Sequence, residues 1–441
     1  MVDNKKSRLR ALGLLEKTYL ILLLVIFGGI VLHAPLSVGL GSLLPAYDLL
    51  IKSWKEIMLG VAAVLALVIL SRRRQYGILK EPLILTSLGY GLLHVTILPF
   101  FQLGALQSIA GLLIDLRYVV FFVLVYIAAR LFPVFRPLFL RVGLIGAFIV
   151  LLFGFLQVFI LPPDVLKYIG YTINTIVPHL TVDQNPDYIR INSTLRGPNP
   201  LGAYAVIVLS AVVAWWLVNR RRLSRRTQLI LGILLLAGVV VLWASYSRSA
   251  LIAAVVALAV VVAVSLRHRI SRRTWIVSSV IGLALIGGII AARDTSIVSN
   301  VIFHEDPSES NQVNSNDGHL ESLKDGAYRM ATQPFGAGIG SSGSASLLGD
   351  DPLILENQYF FIAHETGWLG LMIFLLIFIG ILTRLWTRRA DWLALALLAS
   401  GIGLAIIGLL LPVWVDDTVS LVWWGLAGLA IGSNRGERRV K

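Results

Sequence analysis

The sequence contains no cysteine and few charged residues. None of its 441 residues is cysteine, which excludes disulfide bonds and thiol catalysis and leaves the redox compartment undecided. Charged residues make up only 14% of the chain and hydrophobic residues 57%, a balance far from that of a soluble domain. The chain is therefore expected to be an integral membrane protein.

Long apolar runs recur along the chain. Many reach about 17 residues, enough to cross the hydrocarbon layer of a membrane. They predict an all-α polytopic protein with about 12 transmembrane helices, in one integral membrane domain over residues 1–441. The predicted spans are 18–34, 55–71, 82–101, 106–129, 142–161, 201–219, 228–244, 249–266, 275–292, 358–383, 392–412 and 418–432. No cleavage site follows the first span, which we expect to be retained.

The positive charge is unevenly placed. Lysine and arginine total 38 against 24 acidic residues, for a net charge of +14. Most of these cations cluster between alternate spans, and therefore on one side of the membrane. The positive-inside rule makes that side cytoplasmic and places both termini there. Anionic lipid accounts for the excess charge, so we expect membrane lipid, and not nucleic acid, as a partner.

Two polar segments fall on the opposite side of the membrane. Residues 162–200 and 293–357 are predicted to be extracytoplasmic loops, the larger one lying between the ninth and tenth spans. Residues 318–331 within it are predicted to form a short amphipathic helix that carries His319 and lies beside the site. Function is therefore expected to face outward.

Arginines precede the sixth span in the stretch "RINSTLRGPNPLGAY". Asn199 is predicted to be the N-cap and Pro200 the first helical residue. Arg190 and Arg196 then lie near a helix N-terminus that is already positive. An anion such as phosphate in between would make this arrangement favourable. Alternatively, the arginines bind lipid headgroups or the acidic loop.

The eighth span opens in the same way, in "ASYSRSALIAAVV". Arg248 stands at its start, and Ser247 or Ser249 is available as a cap. Two such helix starts together would bind a diphosphate better than one alone. In the alternative interpretation, Arg248 is an anchor at the membrane surface.

The tenth span opens with "LENQYFFIAHETGWLGL". Glu356 lies at the membrane surface and is a candidate base for removing a proton from a sugar hydroxyl. His364 and Glu365 lie two turns further in and are functional candidates because they are ionisable at that depth. In the alternative, Glu356 is a favourable charge at a helix start, and the other two pack between helices.

The fourth span carries two charges near its middle, Asp115 and Arg117. Either charge alone is costly in a membrane. Two positions apart on a helix, they do not face each other. We therefore expect separate partners for them, and a cavity that they help to line.

Three outer stretches resemble the O-antigen ligase and polymerase superfamily of bacterial envelope enzymes. The first motif of that family is an arginine followed nine residues later by a Pro-Asn pair that opens a helix. The second is a Ser-Arg turn, and the third is His-Asn followed after nine residues by Gly-x-x-Gly. The matching residues here are Arg190 with Pro198-Asn199, Ser247-Arg248, and Asn357 with Gly367 and Gly370. Glu356 stands where the ligases keep histidine, which favours a polymerase or another relative over the strict ligases.

The resemblance implies a GT-C-like fold and a metal-independent, inverting glycosyltransferase without a cofactor. Such an enzyme moves a glycan from undecaprenyl diphosphate to a glycan, lipid or protein acceptor, at the outer face of the bacterial inner membrane, as in lipopolysaccharide biosynthesis. It implies that Arg190 and Arg248 hold the diphosphate and that Glu356 is the base. The expected substrate-binding residues are Asn199 and Asn357 from the motifs, and Arg196, Arg117 and His319 from charge and location.

A different class of protein remains possible, namely a lipid-linked glycan transporter or flippase that binds the same donor without chemistry. A transporter should place its charges along a path through the bilayer. The charged groups above crowd one surface instead.

Overall fold

The computed structural model describes residues 12–182, 185–221, 223–267 and 315–433, with positions 271, 273, 287, 288, 291, 292 and 295. The predicted ninth span, 275–292, and the first part of the predicted loop 293–357 fall largely outside these residues. Within this part of the chain the protein is mostly helical, with one short hairpin of strands.

The helices before the hairpin are α1 (Leu14–Gly29), α2 (His33–Leu43), α3 (Asp48–Lys52), α4 (Trp54–Arg73), α5 (Pro82–Ile97), α6 (Ala105–Leu131) and α7 (Phe135–Phe159). Short 3-10 turns lie at Ile30–Leu32, Pro45–Tyr47, Tyr76–Lys80, Leu98–Phe100 and Val165–Ile169. The hairpin pairs β1 (Leu180–Val182) with β2 (Asn185–Arg190) in antiparallel register. The helices after it are α8 (Pro198–Asn219), α9 (Arg225–Ala244), α10 (Arg248–Leu266), α11 (Ser315–Thr332), α12 (Gly343–Ser346), α13 (Gln358–Thr387), α14 (Trp392–Ile407) and α15 (Asp417–Gly432).

The helices follow the predicted spans closely. Eleven of the twelve spans coincide with helices of the described residues. Nine spans of that part of the chain are long and apolar enough to cross a membrane, whereas α14 and α15 are shorter. The protein is therefore a multi-pass helical membrane protein. The amphipathic helix predicted at 318–331 is confirmed as α11, while the hairpin in the first predicted loop was not predicted.

The close packing of α6 against α15 positions the start of α15. A Cβ added to Gly428 would lie 2.6 Å from the carbonyl oxygen of Phe122, and one added to Gly432 would lie 2.6 Å from that of Tyr126. Glycine has no side chain and lets two helix backbones approach closely. Such close packing holds helices together in a membrane, where the hydrophobic effect does not drive their association. This close packing of the two backbones fixes the register of the helices. It brings Asp417, at the start of α15, beside Arg117 of α6.

The starts of α8, α10 and α13 lie at one end of the bundle. In α14, a Cβ added to Gly403 would lie 2.9 Å from the carbonyl oxygen of Ala253 and 3.3 Å from Val206. Ala253 is five residues from the start of α10, and Gly403 is four from the end of α14, about 7 Å of helix in either case. Gln358, the first residue of α13, donates its backbone N–H to Gly408, just beyond α14, at 2.8 Å. We call this the motif end of the bundle.

Helix α13 is broken at Gly367, which has φ of 69°. The carbonyl of His364 and the N–H of Trp368 are thereby released from the helix. They bond to the incoming segment 334–337, through Ala337 N–H at 2.6 Å and the carbonyl of Pro334 at 2.9 Å. Gly367 thus provides a break in the backbone, in a conformation that only glycine adopts readily.

Candidate functional site

Arg190 joins the first two arginine-bearing motifs. It ends β2, and its Nε donates to the carbonyl of Ser245 at 3.0 Å. Its Nη2 donates to Asn199 Oδ1 at 2.8 Å. The backbone N–H of Ile191 also bonds to the carbonyl of Ala244 at 3.2 Å. The guanidinium group is therefore held between the first turn of α8 and the turn that precedes α10.

Arg248 is the first residue of α10 and is partly buried. Ser247 occupies the N-cap position, although its hydroxyl contacts Ser249 Oγ at 3.3 Å and makes no side-chain cap. The turn before it depends on Tyr246, whose φ is 46°. A Cβ added to Gly202 of α8 would lie 2.7 Å from Ala250 and 3.1 Å from the Cβ of Ser247. The two helix starts are therefore in direct contact.

The prediction that Asn199 caps α8 is wrong. The helix begins at Pro198 with Gly197 in the N-cap position, and no side chain caps it. Proline suits the first turn because it has no N–H to satisfy. Asn199 therefore lies inside the first turn, where its amide oxygen accepts from a cationic guanidinium, a stronger bond than a neutral one.

Glu356 and His319 meet, although 37 positions separate them in the chain. His319 Nδ1 and Glu356 Oε2 are in ion-pair contact, and both side chains are about one third exposed. The backbone N–H of Glu356 also donates to Ser322 Oγ at 3.0 Å. The first half of α11 is thereby attached to the start of α13, and a carboxylate–imidazole pair forms at the motif end.

Asn357 is buried, and its amide group bonds to the protein on both sides. Oδ1 accepts from the N–H groups of Tyr359 at 2.8 Å and Phe360 at 3.0 Å, so that Asn357 caps α13. Nδ2 donates to the carbonyl of Leu409 at 2.8 Å. The side chain of Asn357 is therefore fixed at the start of α13, next to Glu356.

Arg117 is paired within a buried network of charges. It contacts Asp417 Oδ1 and the carbonyl of Val415, and lies 3.5 Å from Glu56 Oε1. Lys55 Nζ lies 3.0 Å from Asp417 Oδ2 and 3.2 Å from Glu56 Oε1. We call this set, completed by His33 at 3.0 Å from Asp417 Oδ2, the ion network.

A cavity of about 720 Å³ opens beside the ion network. Arg117 and Arg196 both line it, so two predicted binding residues share one space. Arg196 is exposed and forms no hydrogen bond or ion pair with the residues that the structure describes. It acts electrostatically on Asp416 and Asp417. Burial, and then the neighbouring Asp417, raise the pKa of Asp416, which caps α15 through Val419 N–H at 2.9 Å.

Asp115 has partners of its own. Its Oδ2 lies 4.0 Å from His94 Nε2, and its carboxylate lies close enough to Glu365 of α13 to act on it electrostatically. Glu365 Oε1 also accepts from the N–H of Ser342 at 3.1 Å. The prediction that Asp115 and Arg117 have separate partners is confirmed, whereas only Arg117 of the two lines the cavity. Glu365 and His364 are buried between helices.

Sequence reasoning missed four members of the ion network, namely His33, Lys55, Glu56 and Asp417. Each lies near the end of an apolar run, where single charges are common. The available signal was that all four lie at predicted outer ends of spans, and that Arg117 required an acidic partner at that depth.

The fold and these contacts define a multi-pass helical membrane protein with its arginine-bearing helix starts at one end. Residues 233–375 match the family model described as O-Antigen ligase. This match confirms the resemblance to the O-antigen ligase and polymerase superfamily, a group of envelope enzymes of glycosyl transfer. The matched segment contains Arg248, His319 and Glu356, whereas Arg190 and the ion network lie outside it. A comparison with curated proteins found no match.

Proposed function

We propose that the protein is an inverting glycosyltransferase that moves a glycan from a polyprenyl diphosphate to an acceptor hydroxyl. One observation carries the proposal: Arg190 is held against the turn from which α10 and Arg248 begin. Two guanidinium groups and a helix N-terminus then lie in one region of the protein. A diphosphate carried by a lipid has the negative charge, and the length, to contact both arginines and the helix N-terminus. Undecaprenyl diphosphate is the donor that the family resemblance implies.

The leaving group explains the arginines. The acceptor oxygen attacks the anomeric carbon from the face opposite the diphosphate, and the bond from that carbon to the diphosphate oxygen breaks. The electron pair of this bond leaves with the diphosphate, and the configuration at the anomeric carbon inverts. Arg190, Arg248 and the start of α10 stabilise the negative charge that develops there.

The proton of the acceptor hydroxyl goes to the pair formed by His319 and Glu356. The family resemblance implies Glu356 as the base, with His319 and His364 as the alternatives. In the contact between them, Glu356 accepts from His319 Nδ1, which leaves Nε2 of the neutral ring to take the proton. The carboxylate orients the ring and stabilises the imidazolium that forms, as in other carboxylate–histidine pairs.

The test is a transfer assay with purified protein, the lipid-linked oligosaccharide, and glycan, lipid and protein acceptors offered separately. We expect wild type to release undecaprenyl diphosphate and Arg248→Ala to lose about 100-fold or more of the rate, the cost typical of a lost donor to a developing charge. The matched control is Arg226→Ala. Arg226 is exposed at the start of α9, about 27 Å along that helix from its end near Arg190.

Two further variants locate the base. His319→Gln and Glu356→Gln should both slow transfer, with His319→Gln the slower if the imidazole takes the proton. Unchanged transfer in both variants would place the base elsewhere. If wild type instead moves the lipid-linked glycan between leaflets without releasing diphosphate, the proposal is wrong and the transporter interpretation holds.

A further inference from the structure

The ion network has balanced charge. Lys55 and Arg117 face the carboxylates of Glu56 and Asp417. Trp54 Nε1 donates to His33 Nδ1 at 3.0 Å. Since an indole nitrogen can only donate, His33 Nδ1 accepts here, and Nε2 faces Asp417 Oδ2 at 3.0 Å and Lys55 Nζ at 3.2 Å. The network alone therefore attracts neither an anion nor a cation strongly.

Two polar atoms of the network have no partner among the described residues. They are Glu56 Oε2, on a side chain only 9% exposed, and Arg117 Nε. One is an acceptor and the other a donor. Buried groups of this kind are costly unless water or a ligand satisfies them. Both residues line the cavity, which has space for a ligand.

The rest of the cavity wall is apolar on one side. Ile109, Ala110 and Leu113 line it on α6, the helix that also carries Arg117. A volume of about 720 Å³ lies within the range of about 300–1,000 Å³ found for small-molecule sites. A molecule with many hydroxyl groups and an apolar ring face fits this combination, because each hydroxyl both donates and accepts.

The cavity lies next to the proposed diphosphate site. Arg196 lines it, and Asn199, the partner of Arg190, follows three residues later. Three residues of chain span at most about 11 Å. A sugar in the cavity would therefore lie within reach of a diphosphate held by Arg190.

We propose that this cavity binds a sugar of the transfer reaction, with Glu56 accepting a hydrogen bond from a sugar hydroxyl and Arg117 Nε donating one. This site rests on the proposed function for its role, although not for its capacity to bind sugar. The sugar belongs either to the donor or to the acceptor, and the two share the chemistry that the cavity recognises.

The test uses the full protein and two variants. Glu56→Gln keeps the shape of the side chain and removes its charge. Ala110→Trp fills the cavity from the apolar wall and leaves the ion network intact. Glu16→Gln is the control, since Glu16 pairs with Arg73 at the far end of α4. The first readout, which needs no transfer, is saturation-transfer NMR with the oligosaccharide freed from its lipid. The second is KM for the lipid-linked donor and for the acceptor.

We expect Glu56→Gln to weaken oligosaccharide binding about tenfold, the effect of one hydrogen bond to a charged group, and Ala110→Trp to abolish it. A raised KM for the donor alone would assign the cavity to the donor sugar, and a raised KM for the acceptor alone would assign it to the acceptor.

If Glu56→Gln fails to fold, Ala110→Trp decides. Unchanged binding and unchanged KM values in a folded Ala110→Trp protein would overturn this inference while the transferase proposal stands. If wild type transfers nothing but binds the oligosaccharide, and Ala110→Trp does not, the transferase proposal fails and the sugar site remains.

Discussion

At the scale of single residues, Asn199 connects the hairpin to the helix bundle. Its amide oxygen is the acceptor, within the first turn of α8, for the Nη2 group of Arg190. A guanidinium at the end of a strand has many rotamers, and each bond to a fixed acceptor removes some of them. Asn199 is therefore a positioning residue for Arg190 in the proposed chemistry.

Removal of this acceptor should reduce transfer more than stability. We expect Asn199→Ala to lower kcat by about tenfold, since hydrogen bonds to charged groups contribute about 1.5–3 kcal/mol. Asn199→Asp keeps the acceptor and should retain most of the activity. The measurement is kcat with saturating donor, alongside the melting temperature in detergent.

Asn219→Ala is the matched control, because Asn219 lies at the other end of α8 and bonds only to the carbonyl of Trp215 among the described residues. It should transfer at the wild-type rate. An Asn199→Ala protein as active as wild type would show that Arg190 needs no such support.

At the scale of single residues, the sequence indicates which side chains are chemically suited to a role, but not which partners they bond to. Asn199 was a good N-cap by type, yet the competing donor comes from Arg190 nine positions away. Glu356 was predicted without its imidazole partner, because His319 reaches it only after α11 packs on α13. Asp417 meets Lys55 across more than 350 positions of chain, and no local pattern encodes such a contact.

At the scale of single elements, prediction from sequence is far more successful. Helix α8 and the other spans are set by unbroken apolar runs, and a membrane leaves helices as the solution for such runs. The hairpin of β1 and β2 escaped prediction because its strands are too short to show alternation. The break in α13 escaped because Gly367 lies within an apolar run that is otherwise typical of a continuous helix.

The break in α13 should depend on glycine. In Gly367→Ala the new Cβ would lie 2.5 Å from the carbonyl oxygen of Pro334, at a φ of 69°. Strain of this kind costs about 1–3 kcal/mol, so we expect a lower melting temperature. We also expect segment 334–337 to detach from His364, which would be seen as faster proteolysis within it.

Gly232→Ala in α9 is the control, since nothing lies within 4 Å of its added Cβ. Alanine should leave that helix unchanged or stabilise it by up to about 1 kcal/mol. Equal melting temperatures for Gly367→Ala and wild type would mean that α13 can straighten without loss.

At the scale of the whole molecule, the two ends of the bundle differ in charge and in role. The motif end carries the arginine-bearing helix starts, the pair formed by His319 and Glu356, and the cavity. The other end carries the basic clusters that follow α4 and α8. The positive-inside rule predicts that the basic end is cytoplasmic. The motif end should then face outward, where a lipid-linked glycan and its acceptor would meet.

The absence of cysteine makes this orientation directly measurable, because a single introduced cysteine has no background. Ile173 is 88% exposed and Tyr328 is 68% exposed, both on the motif side, while Gln75 and Arg226 are exposed at the basic end. In spheroplasts, a membrane-impermeant maleimide should label Ile173→Cys and Tyr328→Cys at once. It should label Gln75→Cys and Arg226→Cys only after the membrane is permeabilised. The reverse pattern would place the arginines in the cytoplasm, and labelling of Ile173→Cys without Tyr328→Cys would separate the hairpin from α11 and with it the diphosphate site from its base.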